Sequence, residues 1–389
     1  MNKERSLAHI ETITDIRPIE GKDRIVLAKV LGWNVVIGKD EFRIGDRVVY
    51  VEIDSRLNTN LELFQPLSKD ADKFGFARIR TRKFGDSYSQ GICFKVPEDC
   101  AKHKIGTDLT GYFNKGREGE NIAIIHNEEY SEQKAEWENP WKKKPYKPTL
   151  WEKILRRIFP RRKRREKGRV PNPYDIGVSK TNEERIQNLT ELFENLKSRK
   201  ITLVATEKLD GQSFTAHIDR KGKVYVASRN VPLFFRGAGR TRQSHTYAGS
   251  TWKRTFEKYE IEKALISLRK RRKEAITIQG EIIGSNIQGN PYKVPGGVQL
   301  KVYNIAVAGK RIPYEEMREL CMKHNLDTVP YLGTTVLDEN LTIEDFIAMS
   351  DGMSEVNKDT IREGIVYRTI DYKTSFKAIS NKFLMKGGE

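Results

Sequence analysis

The chain has 389 residues, of which 37% are hydrophobic, and a formal net charge of +18. It has no apolar stretch near the roughly 20 residues that a membrane span requires, and its N-terminus lacks the apolar core of a secretion signal. These features exclude a membrane-spanning protein, and we expect a soluble, cytoplasmic monomer with no membrane partner. The length predicts two domains.

The cysteine and histidine content argues against a structural metal site. Cys93, Cys100 and Cys321 are odd in number and have no paired metal-binding spacing, so we expect reduced thiols. The six histidines are scattered without a His-x-x-x-His pattern, which argues against structural zinc.

Residues 1–112 are rich in short alternating strands. Strands are predicted at 8–14, 24–30, 33–37 and 47–53, with turns between them. About five such strands predict a small OB-like β-barrel. An SH3-like barrel fits the same pattern nearly as well.

Residues 113–177 form a basic, proline-rich linker or insert. Within it, residues 141–169 hold 14 Lys or Arg against two acids, a net of +12, which leaves +6 for the rest of the chain. Such a segment either contacts nucleic acid or is a solvated, disordered linker, and both interpretations stay open. Residues 151–159 could form an amphipathic basic helix. The run 161–165 is also typical of a nuclear localisation signal, which leaves a nuclear location open.

Residues 178–389 alternate strands and helices irregularly, which predicts an α+β domain. The first helix is predicted over 182–198, with Thr181 as its N-cap and Glu184 completing a capping box. Further helices are predicted near 256–274, 314–325 and 343–350.

The most informative stretch is Lys208-Leu-Asp-Gly211. An apolar, β-branched strand at 201–207 precedes it, Asp210 and Gly211 signal a turn, and 212–218 is predicted to be a returning strand. A lysine held partly desolvated at such a strand end has a lowered pKa and can act as a nucleophile. The alternative is an ordinary hairpin with a solvated lysine, because four-residue patterns recur by chance.

Three polar residues that suit nucleotide chemistry follow Lys208. Arg229 ends a strand where it could hold a phosphate, Glu281 interrupts an apolar strand, and the ring of Tyr303 could stack on a base. Each also has a structural interpretation, because Glu281 could pair with a buried arginine, Tyr303 could be plain core and Arg229 could form a surface ion pair.

Three charged residues close the series. Glu363 precedes a glycine, and Lys377 and Lys382 lie near the end of the chain, where a solvated strand face is the alternative. Together with the residues above they make a complete nucleotidyl-transfer site, with a lysine nucleophile, two acids suited to Mg²⁺, a stacking aromatic and phosphate-binding lysines.

The motifs that carry these residues resemble the covalent nucleotidyltransferases, which comprise DNA ligases, RNA ligases and mRNA capping enzymes. In chain order the motifs are Glu207-Lys-Leu-Asp-Gly, Ser-Arg-Asn230, Gly280-Glu281, Val302-Tyr-Asn-Ile305, Glu363-Gly-Ile-Val and Ser375-Phe-Lys-Ala-Ile-Ser-Asn-Lys382. DNA ligases and capping enzymes usually carry an arginine where this chain has Ser213, and an OB domain after the last lysine motif. Here the barrel comes first and Glu389 lies seven residues past Lys382. This layout is similar to the ATP-dependent RNA ligase branch with an N-terminal OB-type domain.

The resemblance implies an α+β fold in which an OB-like β-barrel precedes an adenylyltransferase domain of antiparallel sheets with flanking helices. It implies an ATP-dependent RNA ligase, with Mg²⁺ or Mn²⁺, that acts in RNA repair. Such an enzyme joins 5′-phosphate and 3′-hydroxyl ends of RNA through a covalent lysyl–AMP and an RNA-adenylate, and we expect it to act at breaks or nicks in RNA-containing duplexes. The basic segment 141–169 is a candidate further contact to nucleic acid.

The resemblance also assigns roles to single residues. Lys208 would carry AMP, and Ser213 would lie in the nucleotide site. Glu207 would contact the edge of adenine, Tyr303 would stack on adenine, and Glu281 would contact the ribose or a metal-bound water. Arg229 would hold the RNA 5′-phosphate, Glu363 would organise the metal, and Lys377 and Lys382 would hold the α-phosphate. Asp54 in the barrel is a speculative ligand of a second metal.

Two other functions stay open at the level of sequence. A DNA ligase or a capping-type guanylyltransferase would share the nucleophile, although Ser213 and the position of the barrel count against it. A non-catalytic RNA-binding protein would use the barrel and the basic segment on a degenerate ligase scaffold. Single-stranded ends, duplex nicks and tRNA-like breaks present the same reacting groups, so the substrate stays open as well.

Overall fold

The computed structural model describes residues 6–137 and 169–386 and divides the chain into two compact units. Among the described residues, the first unit comprises 6–137, 187–190 and 384–386, and the second comprises 169–186 and 191–383. The predictions for 151–159 and 161–165 fall outside the described residues. Among the helices that are described, none has the length and apolar character needed to cross a membrane.

The first unit is an OB-like arrangement of short strands. These are β1 Ala8–Ile19, β2 Lys22–Val30, β3 Trp33–Gly38, β4 Arg47–Val51, β5 Ser55–Asn58, β6 Phe76–Arg78, β7 Arg82–Phe84, β8 Ser87–Ser89, β9 Ile92–Lys95 and β10 Ile124–His126. They form sheets in the orders β3-β2-β1-β4-β9, β10-β5-β6 and β7-β8. The four strands predicted from alternating residues are therefore confirmed.

β1 joins the two halves of the largest sheet of this unit. Its first residues, from Ala8 to Thr12, pair with β4, and its later residues, from Ile13 to Ile19, pair with β2. A register shift between Ile13 and Asp15 marks the change of partner. Such a bulge bends a strand and increases its twist, which allows one strand to serve both halves.

The first unit continues beyond residue 112, the end predicted for this domain. The helix α1 Thr110–Asn114 is followed by β10, which pairs with β5, and by the helix α2 Asn127–Trp137. The Asn114 side chain accepts from the Ile124 backbone N–H at 2.9 Å and donates to the Ile124 carbonyl at 2.7 Å. β10 is only three residues long and is held by these non-local bonds, so it left no recognisable local pattern.

The second unit contains two further sheets. Their strands are β11 Glu184–Arg185, β12 Thr202–Lys208, β13 Gln212–Ile218, β14 Val224–Ala227, β15 Pro232–Gly237, β16 Arg240–Gln243, β17 Ile276–Gly284, β18 Val298–Val307, β19 Lys310–Arg311, β20 Asp327–Thr328, β21 Tyr331–Val336, β22 Gly364–Thr369 and β23 Ser375–Ile379. One sheet has the order β11-β23-β22-β12-β21, and the other has the order β16-β15-β14-β13-β17-β18-β19, with β20 beside β18. The pairs β11–β23 and β18–β20 are parallel and the other pairs are antiparallel.

The predicted hairpin around Lys208 is wrong. β12 pairs with β21 and β22, whereas β13 pairs with β14 and β17, so the two strands lie in different sheets. Asp210 and Gly211 therefore form a crossover from one sheet to the other. The turn signal is local and correct, but the strand partners are chosen by non-local pairing.

The helices of the second unit flank its sheets. They are α3 Thr190–Ser198, α4 Thr251–Lys258, α5 Ile261–Arg272, α6 Tyr314–Lys323, α7 Ile343–Ser350 and α8 Asn381–Met385. α6 and α7 confirm two predictions, and Thr342 forms a capping box with Asp345. The helix predicted over 256–274 is two helices, because Glu260 adopts a left-handed conformation with φ of 47° between them.

The helix predicted over 182–198 begins only at Thr190. Residues Glu184 and Arg185 instead form β11, which pairs with β23, and Arg185 is 1% exposed. The next residues, Ile186–Asn188, form a short 3-10 turn, and Gly32 donates its backbone N–H to the Gln187 carbonyl at 2.9 Å. The capping-box signal at Thr181 and Glu184 was outweighed by this tertiary pairing.

The main core of the second unit lies between the larger sheet and the helices α4, α5 and α6. It includes Phe214, Leu265, Ile278 and Leu300, which are fully buried. The smaller sheet is covered by α3 and α7, where Phe346 meets Phe193, Tyr367 and Phe376 in edge-on contacts. Cys93, Cys100 and Cys321 are buried free thiols, as predicted.

A buried charged cluster stabilises the first unit. His9 Nδ1 lies 2.8 Å from Glu11 Oε1, and His9 Nε2 lies 3.4 Å from Glu52 Oε1. Asn188 donates to Glu52 at 2.7 Å and accepts from the Trp33 indole at 2.5 Å, which ties residues 187–190 to this unit. Burial alone would lower the pKa of His9, but hydrogen bonds and charge from the two carboxylates raise the pKa to about 9.

The His9 cluster predicts a pH-dependent stability. Because the folded-state pKa of His9 is raised, its contribution is complete below the ordinary value of 6.5 and is lost as the pH rises through about 9. We expect His9→Gln to lower the free energy of unfolding by about 3 kcal/mol at pH 6.5, because two buried carboxylates lose their cation. We also expect the variant to lose much of the decline between pH 6.5 and 9.5 in urea denaturation.

The matched control lies on the same strand. Arg17 and Asp15 form an exposed ion pair at 2.5 Å, and Arg17→Gln should change the free energy of unfolding by less than about 1 kcal/mol. An equal effect of both substitutions, or an unchanged pH profile in His9→Gln, would contradict the role of the buried cluster.

Candidate active site

The crossover between the two sheets of the second unit fixes Lys208. Lys208 ends β12, opposite Gly364 of β22. Leu209 is buried among apolar residues, and the Asp210 N–H donates to the Tyr292 hydroxyl at 2.7 Å. A Cβ on Gly211 would lie 2.4 Å from the Ile282 carbonyl oxygen, so only glycine fits this close approach.

Lys208 forms an ion pair with Glu363. Its Nζ donates to Glu363 Oε1, and the side chains are 27% and 4% exposed. Glu363 precedes β22, and the backbone N–H of Ser380 donates to its carbonyl at 2.9 Å. The lysine is therefore held at the edge of solvent with its charge directed into the protein.

Glu281 completes an acidic surrounding for this lysine. It lies on β17, opposite Ser213 of β13 and Lys301 of β18. Desolvation raises the pKa of Glu281 to about 8; nearby Glu363 and Asp210 add to the rise, while Lys208 and Arg229 oppose it. Because these charges act on Glu281 at short range, the structure brings the predicted acids, lysine and arginine of the site together.

Tyr303 and Glu207 border the same site. The Tyr303 hydroxyl lies 2.8 Å from Thr181 Oγ1, and burial raises its pKa. Glu207 is 2% exposed; its Oε2 accepts from the Glu355 backbone N–H at 2.8 Å, and desolvation raises its pKa. Glu207 Oε1 is buried and accepts no hydrogen bond from the described residues, so it is an acceptor available to a ligand.

A buried ion network behind Tyr303 was not predicted from the sequence. Glu183 Oε1 lies 3.1 Å from Arg368 Nη2 and 3.8 Å from Arg311 Nη1, and the Arg368 guanidinium lies 6.0 Å from the centre of the Tyr303 ring. Arg368, a charge within the largely apolar strand β22, was the available signal for this network. The network therefore places a buried guanidinium near the Tyr303 ring.

The remaining predicted residues have different locations. Arg229 donates to Asn182 Oδ1 at 2.9 Å and lies near Glu281. Lys377 lies on β23 opposite Val366, on the sheet face that also carries Lys208. Lys382 is exposed on α8, where its backbone N–H lies 3.4 Å from Asp351 Oδ1.

Comparisons with known proteins agree with this geometry. A family model described as RNA ligase matches residues 201–381, and one described as an OB-fold domain matches residues 7–96. A Naegleria gruberi RNA ligase solved with pyrophosphate is 30% identical, with a TM-score of 0.75, and the match covers 98% of this chain and 99% of that one. The chain belongs to the RNA ligase family.

Two further solved structures are also similar to this chain. A variant of the Naegleria gruberi enzyme with AMP and manganese is 29% identical, with a TM-score of 0.75, over 99% of this chain and 100% of that one. Another variant, with ATP and manganese, is 30% identical, with a TM-score of 0.74, over 98% of this chain and 99% of that one. A comparison with curated protein sequences gave no match.

The donor set of the ligase suits a divalent cation held in part by water and phosphate. Among the described residues, no three His, Cys, Asp or Glu side chains converge on one point, so no cage formed wholly by protein is present. The pair Glu281 and Glu363 remains, and the pKa of Glu281 is raised in part by its acidic neighbours. Mg²⁺ is commonly bound by one or two carboxylates together with water and phosphate oxygens, which these residues fit.

Asp54 lies in the first unit of the ligase. It has a left-handed conformation, with φ of 69°, and its Oδ1 lies 3.5 Å from Arg78 Nη2. It is 5% exposed. Its speculative role at a second metal stays a prediction.

The close approach at Gly211 predicts a large effect of one added methyl group. We expect Gly211→Ala to lower the melting temperature of the ligase by several degrees, because its Cβ would displace β17 or the crossover. Gly111→Ala is the matched control, since its Cβ would meet nothing within 4 Å in α1. Thermal unfolding of both variants measures the difference, and equal melting temperatures would contradict the tight crossover.

Proposed function

We propose that this RNA ligase activates RNA ends with ATP through a covalent adenylate on Lys208. The observation that carries the proposal is the position of Lys208 at the crossover, next to Glu363 and close to Glu281. An amine at the edge of solvent, surrounded by acids that can hold a cation, suits attack on a phosphate. The similar ligase structures that contain ATP, AMP and pyrophosphate support this assignment.

The proposed reaction has three transfers. The neutral Lys208 Nζ attacks the α-phosphorus of ATP, a P–N bond forms, and pyrophosphate leaves. An RNA 5′-phosphate oxygen then attacks the same phosphorus and takes AMP from the lysine. Finally, the 3′-hydroxyl of the other end attacks the activated 5′-phosphorus, which joins the strands and releases AMP.

Glu363 controls the first transfer. Its ion pair with Lys208 favours the protonated amine, which is not a nucleophile. Lys208 must therefore lose a proton and separate from Glu363 before it attacks. A cation beside Glu281 and Glu363, Mg²⁺ or Mn²⁺, would supply positive charge for the phosphate oxygens. Asp54 is kept as a proposed contact of a second metal.

Adenine recognition is proposed for Glu207 and Tyr303. The buried Glu207 Oε1 accepts no hydrogen bond from the described residues, and an amino group on the edge of adenine would donate to it. The Tyr303 ring would stack on the base, since its hydroxyl is held by Thr181 and its ring lies beside Arg368. Ser213 lies opposite Glu281 and is proposed to contact the same nucleotide.

Phosphate contacts are proposed for three cationic residues. Arg229 would hold the RNA 5′-phosphate, because a guanidinium binds phosphate oxygens in pairs. Lys377 would approach the α-phosphate from the sheet face it shares with Lys208. Lys382 would contribute from α8, where its side chain is exposed.

Replacement of Lys208 tests the adenylate directly. We expect Lys208→Ala and Lys208→Arg to form no enzyme–AMP with α-labelled ATP and a divalent cation, since neither variant offers a neutral amine at this position. Exposed Lys270 on α5 provides the control, and Lys270→Ala should label like the unmodified protein. Labelling of Lys208→Ala would show that the nucleophile is another residue.

We further propose that the substrate is a break or nick in an RNA-containing duplex. The support is the additional OB-like unit, a fold that commonly binds nucleic acid. Sealing rates should be at least about tenfold higher on a nicked duplex than on single strands of the same sequence, because the second strand aligns both ends. Equal rates on both substrates would contradict the nick assignment.

The basic segment 141–169 is proposed to contact the RNA backbone. Its net charge of +12 supports an electrostatic role, because each neutralised phosphate releases counterions. Replacing its Lys and Arg by Gln keeps the length of the segment and should reduce the slope of log affinity against log salt by several units. An unchanged slope in RNA binding would identify the segment as a linker.

A further inference from the structure

A cavity lies in the second unit, apart from the residues around Lys208. It has a volume of about 590 Å³ and is bounded by β13, β14, β17, β18 and residues 176–179. None of Lys208, Glu281 or Glu363 is among the described residues that line it. Cavities of about 300–1,000 Å³ are typical of sites for small molecules and nucleotides.

A β-bulge directs two consecutive side chains to the two sites. The β17–β18 register passes from Gln279 opposite Asn304 to Gly280 opposite Val302, which leaves Tyr303 as the extra residue. Val302 and Ile305 both pack in the core behind the sheet. Tyr303 and Asn304 therefore share the other face, where Tyr303 borders the Lys208 site and Asn304 lines the cavity.

The wall of the cavity includes uncharged polar side chains, alongside apolar residues and Arg311. His217 Nδ1 lies 2.9 Å from Thr277 Oγ1, and burial lowers the pKa of His217 to about 4, so its ring is neutral at pH 7. Gln279 donates to the Ser179 carbonyl at 2.9 Å and accepts from Asn304 Nδ2 at 2.7 Å. Neutral amide and imidazole groups of this kind match the donors and acceptors on a base edge.

Asn304 leaves one buried acceptor unsatisfied. The residue is 3% exposed, and its Oδ1 has no hydrogen-bond partner among the described residues. A buried polar atom without a partner costs about 1–3 kcal/mol unless a ligand or water supplies the bond. A ligand that donates a hydrogen bond to this atom, for example from a ring or amino N–H, would satisfy it.

The rim of the cavity is cationic. Arg220, Lys221 and Lys223 line it from the turn between β13 and β14. Arg220 is paired with Glu274, and Asp219 Oδ1 accepts from the Lys223 backbone N–H at 2.8 Å. Lys221 and Lys223 form no ion pair with the described acids, so their charge is available to a phosphate.

The cationic turn is held in place by α5. Arg269 Nη2 donates to the Arg220 carbonyl at 2.7 Å, and Arg269 Nε donates to the Asp219 carbonyl at 3.2 Å. A fixed cationic rim above a wall that carries neutral polar groups has the chemistry of a nucleotide site.

We propose that this cavity binds one nucleotide, with its base against Gln279 and Asn304 and its phosphate against Lys221 and Lys223. The nucleotide is either one residue of an RNA strand or a free nucleotide, which share this chemistry. The RNA source rests on the proposed ligase function, whereas the free nucleotide does not. In either case the site is separate from the adenylate on Lys208.

Filling the cavity tests the proposal. Ala306 lines it and is 7% exposed, so Ala306→Leu would occupy its volume. For an RNA residue, we expect Ala306→Leu to weaken binding of a labelled oligoribonucleotide at least fivefold in the absence of ATP. For a free nucleotide, the unmodified protein should bind two equivalents of AMP and Ala306→Leu only one.

A second variant covers the case in which Ala306→Leu does not fold. Lys221→Glu with Lys223→Glu changes the rim alone and should weaken the same ligand at least fivefold. Lys270→Glu with Arg271→Glu makes the same change of charge outside the cavity lining and should weaken binding of that ligand by less than twofold.

The result that overturns the proposal is defined against this control. If the cavity and rim variants match the control pair in both RNA affinity and AMP stoichiometry, no nucleotide binds here. Enzyme–AMP formation with labelled ATP is measured in parallel and should stay within twofold in every variant. A loss of this labelling in the unmodified protein would instead contradict the proposed function.

Discussion

The site around Lys208 depends on carboxylates that the fold withdraws from water. Glu207 and Glu363 are 2% and 3% exposed, and Glu281 lies close enough to Glu363 for the two charges to interact. Moving a carboxylate from water into a protein costs several kcal/mol per ion unless partners replace the lost hydration. The ion pair with Lys208 provides that replacement for Glu363, while the raised pKa of Glu281 shows that compensation there is incomplete.

Incomplete compensation has a direct consequence for ligand binding. A nucleotide with a divalent cation brings positive charge to the acids and a hydrogen-bond donor to Glu207 Oε1. Binding should therefore stabilise the folded protein as well as align the reacting groups. The cost is stored in the free protein, which is common where a site needs charges held ready for a transition state.

Backbone features that local rules disfavour hold these charges in position. Asn286, Gln288, Asn290 and Lys293, between β17 and β18, all have positive φ values, a conformation that costs about 1 kcal/mol or more for such residues. This connection places Tyr292, whose hydroxyl accepts from the Asp210 N–H beside Lys208. The strain is thus located where it fixes the crossover.

The sequence was most informative where the signal was local. The strand before Lys208, the helix over 343–350 and the order of charged motifs all follow from short-range patterns, and the structure confirms the first two directly. The hairpin at Asp210 and Gly211 failed because pairing partners are chosen across more than 60 residues, as Ser213 with Glu281 shows. Single-residue effects such as Glu183 pairing with Arg368 could not be predicted, because they require the tertiary fold.

The bulge in β18 shows how one irregularity can serve two purposes. A regular strand would turn Asn304 toward the core that holds Val302 and Ile305, where an amide would lack partners. The extra residue instead gives Tyr303 and Asn304 the same face, and Gly280 permits it, since a Cβ there would lie 2.7 Å from the Lys301 carbonyl oxygen. Alternation of residues could not reveal this, because the bulge breaks the two-residue period at the position where the site is built.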